Sequence, residues 1–372
     1  MQTGLLVFAS TLLAGLLLIF TQGWHGHFSL DGLDGVQKHH TQPTPRIGGV
    51  AIAVGLVVTW ALSAAAERAI LGPMLLAGIP ALAFGLAEDV TKQVGVLARL
   101  LATMFSGALA WYLTGVAMQD TGLPPLDWLL QFLPFAVLFT AFAVGGVANS
   151  INMIDGFNGL AAGSVAIMLS AIGLIALSVN DAELASVCFV LAWCAAGFVA
   201  VNWPLGKIFL GDGGAYLLGF VLAWVAVLLP MRSPSVNAWA TILACSYPVI
   251  EVGFSVQRRR RREGHHPGQP DKVHLHHLVH RRLVRKLFPD LNRSLQNGLT
   301  SPLCWFFVAV PAGLAVLFAE NTALLAASFG LSVLAYAVVY ARLTQFGWCF
   351  SARTLKPLLN STQKSVSPKV DA

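Results

Sequence analysis

Stretches of about 20 apolar residues, the length of helix that crosses the hydrocarbon core of a bilayer, recur throughout this chain. Of its 372 residues, 56% are hydrophobic and 11% are charged, a balance that excludes a set of soluble domains. We therefore predict an all-α polytopic membrane protein with about 10–11 transmembrane helices. The expected spans are residues 4–22, 47–66, 70–87, 96–116, 127–148, 159–178, 182–201, 213–230, 236–256, 301–318 and 322–341.

The basic residues predict how these spans are oriented. If residues 1–4 lie outside, only Arg68 and Arg232 of the 23 Lys and Arg residues fall on the outer side. Lys and Arg favour the cytoplasmic side of a membrane, so the bias supports this orientation. The same bias explains the net charge of +6 without nucleic-acid binding. We expect one transmembrane domain, 1–341, with a cytoplasmic loop at 257–300 and a flexible cytoplasmic tail, 342–372.

Polar side chains gather in five of the predicted cytoplasmic connections, whereas the outer connections are short and chemically ordinary. This distribution predicts an active site at the cytoplasmic face. The five clusters are QKHHTQPTPRIGG with Lys38, His40 and Arg46; GLAEDVTK with Glu88, Asp89 and Lys92; NSINMIDGFNGL with Asn149, Asn152, Asp155 and Asn158; NWPLGKIFLGDGG with Asn202, Lys207 and Asp212; and KVHLHH with His274, His276 and His277.

Each cluster has a structural alternative to a role in chemistry. The spacing of three in the Asn/Asp series places its side chains near one side of a helix, where they either converge on a ligand or link helices by hydrogen bonds. Asp212 stands before two glycines at a predicted helix start, where free N–H groups suit phosphate beside a metal-holding carboxylate. A simple N-cap is the alternative for Asp212. Glu88 and Asp89 could equally form a solvated helix end.

The histidines of the 257–300 loop favour phosphate recognition over zinc. The loop contains no cysteine, and residues two apart do not share a helix face. The five arginines 258–262 are interpreted as an anchor to anionic lipid headgroups. Carboxylates with asparagine partners favour Mg²⁺, with Mn²⁺ as an alternative, because these ions take oxygen ligands and substrate phosphates. The clusters together indicate a site that joins a lipid phosphate to a nucleotide-activated compound.

Taken in order, the five motifs resemble those of the polyprenyl-phosphate N-acetylhexosamine-1-phosphate transferases, glycosyltransferase family 4. The similarity runs from about residue 31 to about residue 280. It implies a bacterial inner-membrane enzyme that transfers a sugar 1-phosphate from a UDP-sugar to undecaprenyl phosphate, with Mg²⁺ required. The products would be undecaprenyl-diphosphate-sugar and UMP. The motifs that carry it are KHHTQPTPRIGG, GLAEDVTK, NSINMIDGFNGLAAG, NWPLGKIFLGDGGAYLLGF and DKVHLHHL.

The resemblance also implies roles for individual residues. Asp212 would hold the metal, and Asp89, Asp155 and Glu88 would be catalytic. The family usually has Asp-Asp where this chain has Glu88-Asp89, which favours Asp89 as the catalytic member. Asn158 stands where some members have Asp, so hydrogen bonding is preferred to metal binding there. The expected substrate-binding residues are Lys38, His40, Arg46, Lys92, Asn149, Asn152, Asn158, Asn202, His274, His276 and His277.

The HLHH motif favours one branch of the family, which initiates O-antigen, enterobacterial common antigen or teichoic acid synthesis. It argues against phospho-MurNAc-pentapeptide transferase, whose motif is three histidines followed by Phe-Glu. A UDP-N-acetylhexosamine donor is expected, GlcNAc first. A transporter of a phosphorylated solute is the alternative from another class, and it predicts polar groups through the membrane depth. A homodimer is compatible with the sequence.

Overall fold

The computed structural model of the protein describes residues 2–31, 43–261 and 273–345, and these residues are almost entirely helical. Two short strands, β1 (Leu30–Asp31) and β2 (Thr44–Pro45), pair antiparallel. The helices are α1 Gln2–Phe20, α2 Gln22–Ser29, α3 Gly48–Leu62, α4 Ala65–Thr91, α5 Val96–Thr114, α6 Pro124–Leu130, α7 Leu133–Ile154, α8 Leu160–Ser178, α9 Ala182–Asn202, α10 Gly211–Arg232, α11 Ala238–Ala244, α12 Ser246–Arg261, α13 Leu275–Val279, α14 Arg285–Leu287, α15 Arg293–Leu317 and α16 Thr322–Thr344; a π-helical turn, His280–Val284, joins α13 to α14.

The predicted all-α polytopic class is confirmed. Within the described ranges, nine helices are long and apolar enough to cross a membrane, and a tenth span is possible if α11 and α12 count as one. The expected span 47–66 is the shorter helix α3, of 15 residues. The expected span 236–256 is broken, because α11 and α12 meet at a bend of 77°. Pro248 follows the break, and its ring and missing N–H prevent α11 from continuing through it.

Two predicted boundaries lie elsewhere in the structure. The expected span 127–148 is α7, which starts at Leu133 with a proline in its first turn and continues through Ile154. Asn149 and Asn152 therefore belong to the last turns of this helix and not to a connection. The expected loop 257–300 is largely helical where it is described, since α15 already begins at Arg293. Residues 262–272 and 346–372, which include most of the predicted tail, lie outside the described residues.

Helix α10 forms the centre of the bundle. In its most apolar stretch 89% of the residues are buried, against 17% for α16 at the periphery. It packs against α3, α4, α7 and α8, and between its first turn and Arg232 it is apolar on all sides, as an enclosed helix must be. The first turn of α10 therefore lies where the ends of several helices converge.

Glycines allow the backbones to approach closely around that first turn. A Cβ on Gly85 of α4 would lie 2.5 Å from the Cα of Gly213, and a Cβ on Gly49 of α3 would lie 2.5 Å from the nitrogen of Gly214. Small residues at such contacts are the usual means of packing membrane helices closely. The space beside Gly213 and Gly214, which the sequence suggested for a phosphate, is thus filled by the backbones of α3 and α4.

Candidate active site

Helix ends from both halves of the chain meet at the end of the bundle where α10 begins. Residues from five elements contribute side chains there: Arg46 just before α3, Glu88 and Asp89 in the last turn of α4, Arg99 in the first turn of α5, Asn152 and Asp155 at the end of α7, and Asp212 at the start of α10. We call this set the acidic site.

Asp212 is the point on which the cations of the acidic site converge. Its Oδ1 accepts hydrogen bonds from Arg46 Nη2 at 2.7 Å and from Asn152 Nδ2 at 3.1 Å, and its Oδ2 pairs with Arg99. Only 4% of the residue is exposed. Its side chain makes no cap to its own helix, so the N-cap alternative is wrong. Asp212 instead holds two guanidinium groups together in a poorly hydrated place.

Asp89 occupies the helix start that the sequence suggested for an anion. Its oxygens accept the backbone N–H groups of Asp212 and Gly213, each at 2.8 Å, and Arg46 Nε lies 3.1 Å from Oδ1. The residue is fully buried. A negative charge at a helix N-terminus is favourable, so Asp89 supplies the anion itself. The expected free N–H groups at this helix start are therefore already bound by a carboxylate of the protein.

Gly211 is required by this arrangement. Its φ of +73° favours glycine, and a Cβ there would collide with the carbonyl oxygen of Arg46 and with the carboxylate of Asp89. The glycine before Asp212 thus lets α10 start directly on Asp89. This contact fixes the position of the Asp212 backbone.

Glu88 and Lys92 stabilise the turn that follows α4. Glu88, which is half-buried, accepts the backbone N–H of Val94 at 2.8 Å. Lys92 ends the helix in a left-handed conformation with φ of 55°, and its Nζ lies 3.5 Å from Asp31 in β1. The ammonium stays half-exposed, so it is accessible to a ligand. The predicted catalytic role of Glu88 and the predicted binding role of Lys92 stay predictions.

Asp155 differs from the other acids of the site because its carboxylate is uncommitted. Among residues 2–31, 43–261 and 273–345 it has no side-chain hydrogen bond or ion pair. It follows the last residue of α7 and is half-buried. Burial raises the pKa of Asp155 to about 7; the nearby Arg46 lowers this pKa and Asp89 raises it. A carboxyl group that titrates near neutrality can accept or release a proton.

The asparagines divide between the acidic site and the packing of helices. Asn149 donates to Thr103 at 3.0 Å and to the Gly145 carbonyl at 2.7 Å, so it links α7 to α5. Asn158 donates to the Pro204 carbonyl at 3.0 Å. Asn202 donates to the Ile208 carbonyl at 2.6 Å and accepts the N–H of Gly159. Asn149 and Asn158 thus make hydrogen bonds of the kind that the structural alternative for the series expects, and only Asn152 reaches the acids. The predicted substrate-binding roles of Asn149, Asn158 and Asn202 stay predictions.

The HLHH segment packs against the turn that contains Asp155. The ring of Phe157 lies 5.7 Å from that of His276, 5.4 Å from that of His277 and 5.0 Å from that of His280. A Cβ on Gly156 would come within 3.1 Å of His276 Nε2. Two motifs that are more than 100 residues apart in the chain thus form one surface.

Two residues of this region were not among the sequence predictions. Arg99 was treated as part of a span, although it is the fourth residue of that span and follows the acids of the GLAEDVTK motif. Glu251 is fully buried in α12, where it contacts His274. A single acid within an expected membrane span is costly and is a signal for a functional residue. Lys38 and His40 lie outside the described residues, and Lys207 is exposed.

Fold and site together define a polytopic membrane protein with a charged site at one end of its bundle. A model of the family described as glycosyl transferase family 4 matches residues 71–230. This range contains Glu88, Asp89, Asp155 and Asp212.

Known proteins with related sequences are sugar-phosphate transferases. An undecaprenyl-phosphate alpha-N-acetylglucosaminyl 1-phosphate transferase of Yersinia pestis is 26% identical over 250 residues, 66% of this chain and 68% of that protein. The protein of the same name from Salmonella typhi is 27% identical, covering 66% and 67%. A decaprenyl-phosphate N-acetylglucosaminephosphotransferase of Mycolicibacterium smegmatis is 28% identical over 326 residues, 74% and 77%. The family model and these relatives together support a relationship to the polyprenyl-phosphate hexosamine-1-phosphate transferases.

Proposed function

We propose that this protein transfers an N-acetylhexosamine 1-phosphate, with GlcNAc as first choice, from a UDP-sugar to undecaprenyl phosphate. A phosphate oxygen of the lipid forms a bond to the phosphorus that bears the sugar. The bond from that phosphorus to the oxygen of UMP breaks, and the electron pair leaves with UMP. The second product is undecaprenyl-diphosphate-sugar. Support comes from the relatives, whose names describe this kind of transfer to undecaprenyl or decaprenyl phosphate.

The observation that carries the proposal is the uncommitted carboxylate of Asp155, near Arg46, at the end of the bundle where two arginines converge on Asp212. Arg46 and Arg99 both contact Asp212, and guanidinium groups are well suited to bind phosphate oxygens. Asp155 has no partner of its own among the described residues. In the proposed reaction it accepts the remaining proton of the acceptor phosphate, for which its pKa of about 7 is suitable.

Mg²⁺, or Mn²⁺ as an alternative, is part of this proposal. No group of three or more His, Cys, Asp or Glu that could hold a metal occurs in the described ranges. Mg²⁺ commonly uses only one or two protein carboxylates and completes its shell with water and substrate phosphates. Asp212 is the expected ligand, and because its oxygens already contact Arg46, Asn152 and Arg99, the ion would share or replace one of these contacts. Bound there with the donor, the ion would neutralise the charge of the diphosphate.

The same proposal includes a setting in the cell. The site faces the cytoplasm from the bacterial inner membrane, because in the expected orientation only Arg68 and Arg232 of the 23 basic residues fall on the outer side. The reaction would be the initiating step of a cell-surface polysaccharide such as O-antigen, since the HLHH motif is typical of that branch.

Purified full-length protein should release UMP from UDP-GlcNAc when Mg²⁺ and undecaprenyl phosphate are both present. A panel of UDP-sugars, with UDP-MurNAc-pentapeptide included, identifies the donor. Omission of the lipid or of the metal is the control and should stop UMP release. If UDP-MurNAc-pentapeptide is the one donor in the panel that supports turnover, the donor is the cell-wall substrate and not UDP-GlcNAc. UMP release from none of the donors would refute the proposed reaction and leave the transporter.

A further inference from the structure

Glu251 is an ionisable residue in the interior of the bundle that the proposed reaction does not use. It lies in α12, within the apolar sequence SYPVIEVGF, and its exposure is 0%. A buried carboxylate is unfavourable in a membrane protein unless donors surround it, and such residues are usually kept for function. What surrounds Glu251 therefore indicates what it does.

Three donors from two other parts of the chain meet on this carboxylate. Oε1 lies 2.9 Å from His274 Nδ1. Oε2 accepts the backbone N–H of Leu275 at 3.0 Å and the hydroxyl of Tyr336 at 2.8 Å. Glu251 thus joins α12 and α16 to the first residues of the HLHH segment.

These contacts determine how the HLHH segment starts. A carboxylate only accepts hydrogen bonds, so the proton of the His274 ring that faces it is on Nδ1, and Nε2 is directed away from Glu251. Leu275 is the first residue of α13, and its N–H has no partner within that helix. Glu251 therefore sets both the ring of His274 and the first turn of α13.

The rings that follow depend on that first turn. His276 lies 5.4 Å from His274 in a stacked arrangement, and His277 lies 6.0 Å from it. Both rings also contact Phe157, two residues after Asp155. A shift at His274 is consequently transmitted to the surface that adjoins the acidic site.

We propose that Glu251 is a positioning residue that holds the HLHH segment in the conformation that binds the diphosphate of the donor. It touches neither substrate nor the reacting atoms in this account and acts through His274 and the start of α13. The inference rests on the proposed function, because it assigns the histidines to the donor. It adds a residue outside the five sequence motifs to the binding of the sugar nucleotide.

Glu251→Gln is the test, in full-length protein with UDP-GlcNAc and undecaprenyl phosphate varied separately. The amide keeps the size of the side chain, but its NH₂ opposes either His274 or the pair Leu275 and Tyr336. The KM for the donor should rise by about 10-fold or more, the loss expected for one broken charge-assisted hydrogen bond. The KM for the lipid should stay within about twofold, since no contact of Glu251 reaches Asp155.

Two further variants separate positioning from general stability. Glu67→Gln is a matched control, because Glu67 also accepts a hydroxyl, from Ser186, and a backbone N–H, from Ala64, but lies at the opposite end of α4. It should leave both KM values unchanged. In a cycle with His274→Ala, Glu251→Gln should add less than about a twofold further rise in donor KM, because the two residues act together.

Hydrogen exchange gives a readout that does not depend on the reaction. The Leu275 amide should exchange at least about tenfold faster in Glu251→Gln than in the wild type, while amides of α8 should be unchanged. If the wild type releases no UMP, the proposed function fails. The exchange rate of the Leu275 amide still tests whether Glu251 holds the start of the HLHH segment. An unchanged donor KM, an additive cycle or an unchanged Leu275 exchange rate would each overturn the positioning role.

Discussion

The starts of α10 and α13 are held by the same kind of contact in different surroundings. Each helix begins on a buried carboxylate from another helix: Asp89 of α4 binds the first N–H groups of α10, and Glu251 of α12 binds that of α13. Beside Asp89 stands Arg46, a permanent cation, whereas beside Glu251 stand His274 and Tyr336. In both places a buried acid of one helix holds the start of another, while the predicted catalytic role of Asp89 stays a prediction.

Asp155 differs from both of these acids in the partners of its carboxylate. It adjoins the same end of the bundle, yet no described side chain or backbone N–H holds its carboxylate. We therefore separate the acids into two that position helices, Asp89 and Glu251, and one that is available to a substrate.

Asp212→Asn should reduce UMP release by roughly 10²–10³-fold or more, because the charge on which two arginines and the proposed metal converge is lost. Asparagine keeps the shape, and Asp89 still faces Arg46, so the purified protein should remain monodisperse. Activity assays at increasing Mg²⁺, with size-exclusion profiles as control, check this prediction. Near-normal turnover would show that Asp212 at the start of α10 is not a ligand of the metal.

The pH dependence should identify the uncommitted acid. Because the pKa of Asp155 is raised to about 7, the ionised form that accepts a proton is present above this pH and is lost as the pH falls through it. The kcat/KM of the wild type should then fall about tenfold per pH unit below about 7. Residual activity of Asp155→Asn should lack this step, which distinguishes it from titration of the lipid phosphate. A step that persists in the variant would assign it to another group.

Glycine substitutions should separate the two helix starts by stability. Gly85→Ala forces a Cβ against the backbone of Gly213 and should lower the melting temperature clearly, by the equivalent of about 1–3 kcal/mol. Gly156→Ala meets only the movable ring of His276 and should have a smaller effect. Gly146→Ala, with nothing within 4 Å, is the neutral control. Equal shifts for all three would show that close backbone packing does not define the start of α10.

Glu88→Asp should have the smallest effect. The shorter side chain weakens the bond to the Val94 N–H, a loss of about 1 kcal/mol, while the carboxylate that the family usually has there is retained. UMP release should stay within about threefold of the wild type. A loss above about 100-fold would show that the length of Glu88 is part of the chemistry.

The sequence predicted the all-α polytopic fold because the length of its apolar stretches follows directly from the thickness of the bilayer. The expected starts of α5, α9 and α16 coincide with the observed ones, whereas those of α4, α7 and α15 differ by 5, 6 and 8 residues. Prolines account for part of the difference, since Pro134 lies in the first turn of α7 and Pro248 follows the break between α11 and α12. It also identified the acidic motifs. It did not predict that Asp89 would bind the first N–H groups of α10, because that pairing joins residues 123 positions apart.

Glu251 shows a different limit of the sequence. An acid in an apolar span was visible, but its partners come from residues 23 and 85 positions away. The spacing of three in the Asn/Asp series likewise predicted one shared face, whereas α7 ends at Ile154 and the series then separates. Only Asn152 and Asp155 stay at the acidic site, and Asn158 turns toward Pro204.

The most direct test of the account is the single-turnover rate of UMP formation by Asp155→Asn and Asp89→Asn, with both substrates saturating. Saturation removes differences in binding, so the rate reports the chemical step. If Asp155 takes part in the reaction and Asp89 positions α10, Asp155→Asn should be slower than Asp89→Asn by at least about 10-fold. Equal rates, or a slower Asp89→Asn, would contradict the division between positioning and reacting acids.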